Sequence, residues 1–377
     1  MTKEKKNVPA LRFPEFEGEW EEKKLGEKLE DTSIRNNNEI PLYSLTVERG
    51  LTKKTERYNR DFLVKNKENF KVVNHLNIVY NPMNITLGAI DLHSDESKVS
   101  VSGYYNVLKI IDNSNPKFLI ELLRTHKSIL SYKKVATGTL IEKQRVHFSE
   151  FKMMKKYFPS DKEQQRIGDF FSKLDRQIEL EEEKLALLEE QKKGYMQKIF
   201  SQELRFKDEN GEEYPAWEEQ KLDNIANIGT GKSKVKNTGG NYDVLGSTGI
   251  IGKSNNYDYE GDFILIARVG HYAGSLYKYS GKVNITDNTI YLKSNIVLEF
   301  IYYSLKRYRI SRLVFGSGQP LLKSSDIKQL KLFISGEKEQ QKIGDFFSKL
   351  DRHIELQGKK IELLKQRKQG FLQKMFV

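Results

Sequence analysis

The stretch KEQQRIGDFFSKLDRQIEL at residues 162–180 occurs again, almost unchanged, as KEQQKIGDFFSKLDRHIEL at residues 338–356. The likeness continues without gaps to Phe200 and Phe376, so that 25 of 39 aligned positions are identical. Both copies mix charged, apolar, aromatic and small residues, and biased composition does not produce such a match. The chain therefore contains an internal repeat, and each copy ends one of two otherwise dissimilar segments.

Apolar residues recur in both copies at alternating steps of four and three, which predicts a helix about 60 Å long with a coiled-coil face. Polar residues interrupt this face at Glu181 and Lys192, and at the equivalent Gln357 and Lys368, where they can fix the register. We expect the following side chains to pair the two helices: Ile167, Phe171, Leu174, Ile178, Leu185 and Leu188 in the first copy, and Ile343, Phe347, Leu350, Ile354, Ile361 and Leu364 in the second.

Charge suggests the direction of the pairing. The middle of the first copy is acidic, with Glu181 to Glu183, whereas the middle and later part of the second is basic, with Lys359, Lys360 and Lys368. An antiparallel pair brings these regions together, although each exposed ion pair contributes only tenths of a kcal/mol. The alternative is two separate helices, each packed on its own segment.

A shorter repeat adds symmetry. Leu11-Arg12-Phe13 leads to Trp20, and Leu204-Arg205-Phe206 leads to Trp217. The second occurrence directly follows a long helix, whereas the first has no helix before it. The simplest geometry places the N-terminal copy beside the end of the 338–377 helix, in a pseudo-twofold circular arrangement with neighbouring termini.

The segments between these repeats contain short β-branched and aromatic runs separated by Gly, Asn, Asp and Ser, which are typical of strands. Each continues through a helical stretch and a Gly-containing loop, 137–145 or 315–323, into the repeated helix. The sequence therefore predicts an α+β protein with two β-rich modules, separated by two long antiparallel coiled-coil helices. We divide it into an N-terminal arm and first module (1–161), a central helix (162–203), a linker and second module (204–337), and a C-terminal helix (338–377).

Composition limits the function. The 377 residues carry a net charge of +12, and residues 1–161 and 217–337 are each basic, as expected of surfaces that meet a polyanion. The absence of cysteine excludes disulfides and thiolate metal sites, and the six histidines show no metal-binding spacing. The sequence shows neither a signal peptide nor a run of eighteen apolar residues, so we expect a cytoplasmic protein without membrane contact.

Two short motifs resemble catalytic sequences. Residues 226–233, ANIGTGKS, fit a relaxed phosphate-binding loop, but neither a buried strand nor a following helix is predicted around them. Residues 81–84, NPMN, partly match the tetrapeptide with which amino-methyltransferases hold adenine, yet no glycine-rich loop for a methyl donor is present. We interpret NPMN as a turn that ends a strand, and the chain as non-catalytic.

Two dissimilar β-rich segments, each followed by an EQQ-(R/K)-IGDFFSKLDR helix and joined by LRF…W text, resemble the specificity subunit of type I restriction–modification systems. The resemblance covers nearly the whole chain and includes runs such as Asn77–Met83 and Gly261–Arg268. It implies two target recognition domains, each reading one half of a bipartite asymmetric site in double-stranded DNA, with the helices as a ruler.

The resemblance also implies partners. Two modification subunits would carry the methyl-donor site and the adenine-methylating motif, and restriction subunits would bring ATP-driven translocation and cleavage. This chain would then bind no cofactor, since the methyl donor, ATP and Mg²⁺ belong to those partners. The other possibilities are an independent nucleic-acid-binding scaffold and a self-contained methyltransferase or nuclease.

Candidate contacts follow from side-chain chemistry, because Arg and Lys suit guanine whereas Asn and Gln suit adenine. We expect the following residues to bind DNA: Asn81, Lys143, Gln144 and Arg145 in the first module, and Arg268, Lys282, Gln319 and Lys323 in the second. Each could equally be a solvated surface residue.

The apolar helix ends supply candidate docking residues for the modification subunits, namely Tyr195, Phe200, Phe371 and Phe376. Packing on the adjacent recognition module is the alternative.

Overall fold

A computed structural model of the chain describes residues 7–32, 34–35, 40–53, 70–138, 144–234, 239–316 and 320–377. The chain forms two compact units: unit 1 is Met1–Glu181 with Lys360–Val377, and unit 2 is Glu182–Lys359. Each unit therefore contains the start of one repeat copy and the end of the other. In the described ranges, no helix is long and apolar enough to cross a membrane.

Unit 1 is a β-rich module with small helices. Its strands are β1 (Glu21–Lys24), β2 (Leu29–Asp31), β3 (Tyr43–Thr46), β4 (Gly50–Lys53), β5 (Phe70–Val73), β6 (Ile78–Tyr80), β7 (Ile90–Leu92), β8 (Val99–Ser102), β9 (Asn106–Ile110) and β10 (Lys155–Phe158). Its helices are α1 (Pro116–Arg124), α2 (His126–Val135), α3 (Phe148–Met153) and the first part of α4 (Asp161–Phe200). Strands β2-β9-β6-β7 form an antiparallel sheet, and β3–β4, β5–β8 and β1–β10 form pairs.

The core of unit 1 lies between this sheet and its helices. Tyr80 of β6 stacks on Phe151 of α3, with ring centroids 5.0 Å apart, and both side chains are buried. Helix α1 begins where the Asn115 side chain accepts a hydrogen bond from the Phe118 amide (2.9 Å), and Pro116 occupies the first turn, where its missing N–H costs nothing.

Unit 2 repeats this plan around a different sheet. Its strands are β11 (Glu218–Lys221), β12 (Ala226–Thr230), β13 (Tyr242–Gly246), β14 (Gly249–Ser254), β15 (Tyr259–Ala267), β16 (Leu276–Ile285), β17 (Thr289–Ser294) and β18 (Lys331–Ile334). Its helices are α5 (Leu222–Ile225), α6 (Leu298–Tyr308), α7 (Ser324–Lys328) and most of α8 (Glu337–Lys374). The sheet order is β12-β17-β15-β16-β13-β14, antiparallel except for β13–β16. A separate β11–β18 pair corresponds to β1–β10 of unit 1.

The two long helices run antiparallel in unit 1. Phe170 contacts Phe371, with ring centroids 5.0 Å apart, and further along α4 the Asp175 carboxylate binds Lys368 at 2.7 Å. Glu181 then binds Lys360 at 2.5 Å, which is a pair between the acidic and the basic helix middle. Because the partner number falls as the α4 number rises, the direction is antiparallel.

Unit 2 contains the equivalent contacts at the matching positions of the two repeat copies. The end of α4 meets the start of α8 where Tyr195 contacts Phe346, with centroids 5.2 Å apart, and Lys192 forms an ion pair with Asp351. Lys192 and Lys368, the polar interruptions of the apolar face, therefore each bind an aspartate of the other helix. The expectation of antiparallel helices is confirmed in both units.

The LRF…W segment contacts the start of each long helix through an arginine–glutamate ion pair, which we call the Arg–Glu joint. In unit 1 Arg12 donates two hydrogen bonds of 2.7 Å to Glu163, whose carboxylate is only 1% exposed. Phe13 lies edge-on to Phe170 at 5.8 Å. The Leu11 amide also donates to the carbonyl of Lys374 (2.9 Å), so the N-terminal arm lies beside the end of α8, as the sequence suggested.

The same joint exists in unit 2. Arg205 donates to the fully buried Glu339 at 2.8 and 3.2 Å, and Phe206 lies 5.7 Å from Phe346. The Trp217 indole adds a third hydrogen bond to Glu339 (2.9 Å). The two repeat copies thus build the same Arg–Glu joint, whereas the modules that they hold differ.

The helix-pairing candidates are buried or half-buried in their own units. In unit 1 Ile167, Phe171, Leu174, Ile178 and Ile361 are buried and Leu364 is half-buried; in unit 2 Ile343 and Phe347 are buried and Leu185, Leu188, Leu350 and Ile354 are half-buried.

The docking candidates at the helix ends contact their own units. Phe376 is 2% exposed and lies against Trp20, Phe118 and Phe171. Phe200 is half-buried against Trp217, Phe300 and Phe347. Phe371 is half-buried on Phe170, and Tyr195 is 40% exposed. The two terminal phenylalanines therefore pack on their own units, and their role in docking stays a prediction.

Candidate nucleic-acid interface

In unit 1, the NPMN sequence forms a turn at the end of β6. The Asn81 side-chain oxygen accepts a hydrogen bond from the Met83 amide (3.0 Å), and its carbonyl accepts from Asn84 and Ile85 at 3.0 and 2.8 Å. The short 3-10 helix Ile85–Leu87 follows, and Gly88 ends it at φ 102°. The half-buried Asn81 side chain thus holds the turn, which agrees with the turn interpretation of this motif.

A second loop meets this turn. Thr137 and Arg145 exchange backbone hydrogen bonds of 2.9 and 2.8 Å, and the amide of the next residue, Val146, donates to the Pro82 carbonyl (3.0 Å). Val146 is completely buried, whereas Arg145 is exposed and Gln144 is half-buried. Lys143, the fourth candidate of this module, lies outside the described residues. The structure therefore brings together Asn81, Gln144 and Arg145, although a long stretch of sequence separates the first from the other two.

In unit 2, Arg268 occupies the corresponding place after β15. Its backbone amide donates to the Asn288 carbonyl and its guanidinium donates to the Asp287 carbonyl, both at 3.0 Å. The amide of the buried Leu322 donates to the Arg268 carbonyl (2.8 Å). Lys323 follows, exposed, with its ammonium 4.7 Å from the centre of the Phe315 ring, as in a cation–π contact.

The two units share this arrangement. Val146 N–H to Pro82 C=O and Leu322 N–H to Arg268 C=O are equivalent hydrogen bonds, and a short helix, α3 or α7, begins shortly after each. In each unit, the turn after the strand and the loop that is hydrogen-bonded to it are together called the strand-end loops. Gln319, a candidate in the second of them, lies outside the described residues. One backbone scaffold thus displays different side chains in the two units.

Lys282 does not join the other unit 2 candidates. It pairs with Glu260 near the beginning of β15, whereas Arg268 follows the end of that strand at Ala267. The length of strand between the two positions separates them by about 24 Å. The Lys282 ammonium lies 4.0 Å from a Glu260 oxygen and 4.8 Å from the Tyr257 ring centre. Lys282 is therefore at the other end of the sheet from Arg268, because an extended strand separates them, and its contact with DNA stays a prediction.

Unit 2 contains a basic pocket that the sequence does not predict. It has a volume of about 330 Å³ and is lined by Lys193, Met196, Gln197, Lys306, Arg307, Arg309 and Arg312. The available signal was the run of cations from Lys306 to Arg312, but such a run equally fits a solvated helix end. Lys193 comes from α4, far away in the chain, and local sequence gives no indication of that contact.

The motif that resembles a phosphate-binding loop is part of a sheet. β12 carries Gly229 and Thr230, and the next described element is β13, not a helix. The amides of Gly231 and Ser233 donate to the Thr289 and Ile285 carbonyls at 2.9 Å, so they are not free to bind phosphate. Among the described residues no group of three His, Asp or Glu side chains could hold a metal ion.

A family model described as type I restriction modification DNA specificity domain matches residues 18–190 and 215–366. The fold is similar to that of a type I restriction–modification S subunit from M. genitalium, with 17% identity, a TM-score of 0.65, and 98% of this chain and 99% of that chain covered. A chain from a structure titled as complex assembly and conformational transition of the type I R-M system matches at 16% identity and a TM-score of 0.53, covering 95% and 97%. No curated protein matches the sequence significantly.

Proposed function

We propose, from the premise that this chain belongs to the family of type I restriction–modification DNA specificity domains, that it is the subunit that selects the DNA sequence in such a complex. The observation that carries the proposal is the duplicated scaffold. Each unit joins a strand end to a loop by an equivalent hydrogen bond, yet exposes different side chains there. Two modules with the same backbone scaffold and different exposed side chains fit a DNA site whose two halves differ in sequence.

Each unit would read one half of a bipartite asymmetric site in double-stranded DNA. In unit 1, Arg145 is exposed and able to reach a base edge, whereas the Asn81 side chain is already engaged in its turn. In unit 2, Arg268 and Lys323 are the corresponding candidates, and a guanidinium suits the two acceptors of guanine. The basic charge of both modules would add salt-dependent attraction to phosphates.

The long helices would set the spacer between the half-sites. Helix α4 has 40 residues and α8 has 38, so each extends over about 60 Å. The buried Arg–Glu joint at the start of each helix fixes its module to it, because moving the arginine away would leave a carboxylate buried without its charge partner.

The same helices would dock two modification subunits. In unit 1 Leu180 of α4 and Leu363 of α8 are exposed by 47% and 66%, and in unit 2 Leu187 and Leu356 are exposed by 54% and 52%. In the aligned repeat copies, Leu356 is the equivalent of Leu180 and Leu363 is the equivalent of Leu187. An apolar surface that occurs twice fits two copies of one partner. We therefore place the docking surface on these leucines, together with the exposed Tyr195.

Chemistry would come from partners. The modification subunits would supply the methyl donor and the adenine-methylating site, and restriction subunits would supply ATP- and Mg²⁺-dependent translocation and cleavage. This chain would bind none of these cofactors. The second candidate is a nucleic-acid-binding scaffold without enzyme partners, which the basic modules alone would equally support.

Co-expression with the neighbouring modification gene, followed by methylation-sensitive sequencing of the host DNA, tests the proposal. We expect adenine methylation at one bipartite sequence, lost when this chain is omitted. Binding to one sequence without methylation would favour the scaffold, and methyl transfer by the purified chain alone would favour a self-contained enzyme.

Single substitutions test the division of labour. Arg145→Ala should relax one half of the methylated sequence and Arg268→Ala the other, each at a cost of about 1–3 kcal/mol in discrimination. Lys282→Ala removes the same charge far from the strand-end loops and serves as the matched control. Equal loss at both halves in the arginine variants would contradict base reading.

Substitution of the exposed leucines tests docking. Leu187→Glu with Leu356→Glu should lower the co-purified modification subunit from two copies to one, and adding Leu180→Glu and Leu363→Glu should abolish it. The melting temperature should stay unchanged, since all four side chains already face solvent. Undiminished co-purification would refute this docking surface.

A further inference from the structure

The basic pocket of unit 2 lies where the second half of α4 meets the end of α6 and the 3-10 turn Ile310–Leu313. We name it the α6 pocket and define it by the seven residues given above. Five of them are cations: Lys193 from α4, Lys306 and Arg307 from the last turn of α6, and Arg309 and Arg312 beyond it. None of these seven lining residues is acidic.

The five cations of the α6 pocket make no ion pair with the described residues, although Lys306 helps to lower the pKa of nearby Asp351. In the part of the chain that the structure describes, no carboxylate oxygen lies within 4.0 Å of any of the five charged groups. Lys306 instead lies over aromatic rings, 4.5 Å from the centre of Tyr302. Nearby Asp351 is bound by Lys192 and by the Tyr303 hydroxyl. Like charges gathered in one concave surface raise the local concentration of anions.

Arg309 occupies an unusual backbone position. It ends α6 at φ 59° and ψ 70°, in the left-handed region where glycine is the ordinary residue. A side chain there costs about 1 kcal/mol. Attraction to the negative end of the α6 dipole accounts for Lys306 and Arg307 in the last turn of that helix. It does not account for Lys193, which belongs to another helix, or for Arg312. A ligand for the pocket explains all five.

The pocket adjoins the strand-end loops of unit 2. Gly274, in the turn after Arg268, has φ 86°, and a side chain on it would meet the backbone of Ser311 at 2.8 Å. The turn that carries Arg309 and Arg312 is therefore in contact with the loop that Arg268 begins. Phe315, shortly after Arg312, pairs with Leu321 in the other strand-end loop.

We infer that the α6 pocket binds phosphate groups of the DNA whose half-site unit 2 reads. The inference rests on the proposed function and names residues that position the duplex without reading it. Guanidinium groups bind phosphate oxygens in a bidentate manner. A contact to phosphate holds any sequence equally, so the pocket would fix the register in which Arg268 and Lys323 reach the bases.

The test is the salt dependence of DNA binding by the full-length chain, measured with a duplex carrying the methylated site and with an unrelated duplex. Arg309→Gly combined with Arg312→Gln should weaken binding to both duplexes by about tenfold or more and lower the slope of log Kd against log salt by about two. Glycine suits the backbone at position 309, so the melting temperature should hold or rise, which separates lost binding from lost folding. Lys221→Gln with Lys349→Gln removes two exposed cations elsewhere in unit 2 and should leave the slope unchanged.

Each other outcome is decisive. An unchanged slope, a loss equal to that of the control, or a loss confined to one sequence would overturn the inference. Intact DNA binding with lost co-purification of the modification subunit would assign the pocket to an acidic protein segment instead. If the wild-type chain shows no sequence preference, the proposed function fails, yet the slope on unrelated DNA still decides whether this pocket binds phosphate.

Discussion

Replacing Lys368 by methionine should destabilise unit 1 in a way that depends on pH. The Lys368 ammonium is bonded to Asp175 at 2.7 Å and to Glu121 at 3.2 Å. Glu121 is 4% exposed, and its second carboxylate oxygen has no hydrogen-bond partner among the residues that the structure describes. Without Lys368, a buried carboxylate loses its charge partner, a change that costs about 3–5 kcal/mol.

The sign of the pH effect follows from Glu121. Burial raises its pKa, and Lys368 is the strongest influence that lowers it. In Lys368→Met the pKa of Glu121 in the folded state rises further above its value in the unfolded state. Between these two pKa values, folded Glu121 holds a proton that unfolded Glu121 has lost. Stability is then highest at low pH and falls as pH rises from the unfolded pKa through the folded one, by up to about 1.4 kcal/mol per pH unit.

The internal repeat supplies the control, Lys192→Met in unit 2. Lys192 binds Asp351, whose side chain is 33% exposed and keeps a 2.8 Å hydrogen bond from the Tyr303 hydroxyl. No buried second carboxylate is left behind among the described residues, so the cost should be about 1 kcal/mol.

Each unit contains one tryptophan, which makes the assay specific. With Trp217→Phe, Trp20 fluorescence reports urea unfolding of unit 1, and with Trp20→Phe, Trp217 reports unit 2. Measurements at pH 5 and pH 7 complete the set. If Lys368→Met costs no more than Lys192→Met, or if its cost does not shrink at pH 5, the buried Glu121 carboxylate does not depend on Lys368.

Two further predictions concern the stability of unit 1 and its helix. A Cβ on Gly168 would lie 2.5 Å from the Asn115 side-chain oxygen, so Gly168→Ala should destabilise unit 1 by about 1–3 kcal/mol. Gly194 on the same helix has nothing within 4 Å of such a Cβ, so Gly194→Ala should stabilise unit 2 by up to about 1 kcal/mol. Equal effects of the two substitutions in urea unfolding would contradict the close contact at Gly168. Burial lowers the pKa of Lys156 to about 8, so the unfolded state holds more protons between pH 8 and 10.5 and stability should rise across that window. Lys156→Met should abolish this rise and be more stable by about 2–3 kcal/mol at pH 7; a pH profile identical to that of the wild type would show that Lys156 is not its source.

Much of the architecture could be predicted because its signals are local or repeated. The alternating apolar positions from Ile167 to Ile199 define a helix face whatever the surroundings, and the second copy, which begins at Lys338, identifies its partner. The polar interruptions at Lys192 and Lys368 suggested a fixed register, and the structure shows each bound to an aspartate of the opposite helix.

The arrangement of the candidate site could be predicted only in part. Side-chain chemistry nominates Asn81 and Arg145, and the structure brings their loops together, but it also engages the Asn81 side chain in the turn. The same chemistry nominates Lys282, which lies at the far end of the sheet from Arg268 because strand pairing places it opposite Glu260.

Periodicity and repetition are enough to show that two unlike modules are attached to two copies of one helix, since neither depends on distant contacts. Which side chains share a surface follows only from the packing of the folded chain. The Arg–Glu joint brings together residues 151 and 134 positions apart, and the α6 pocket joins Lys193 to Arg309. Such contacts depend on how helices and loops pack, and packing is set by the fit of the whole unit rather than by any local stretch of its sequence.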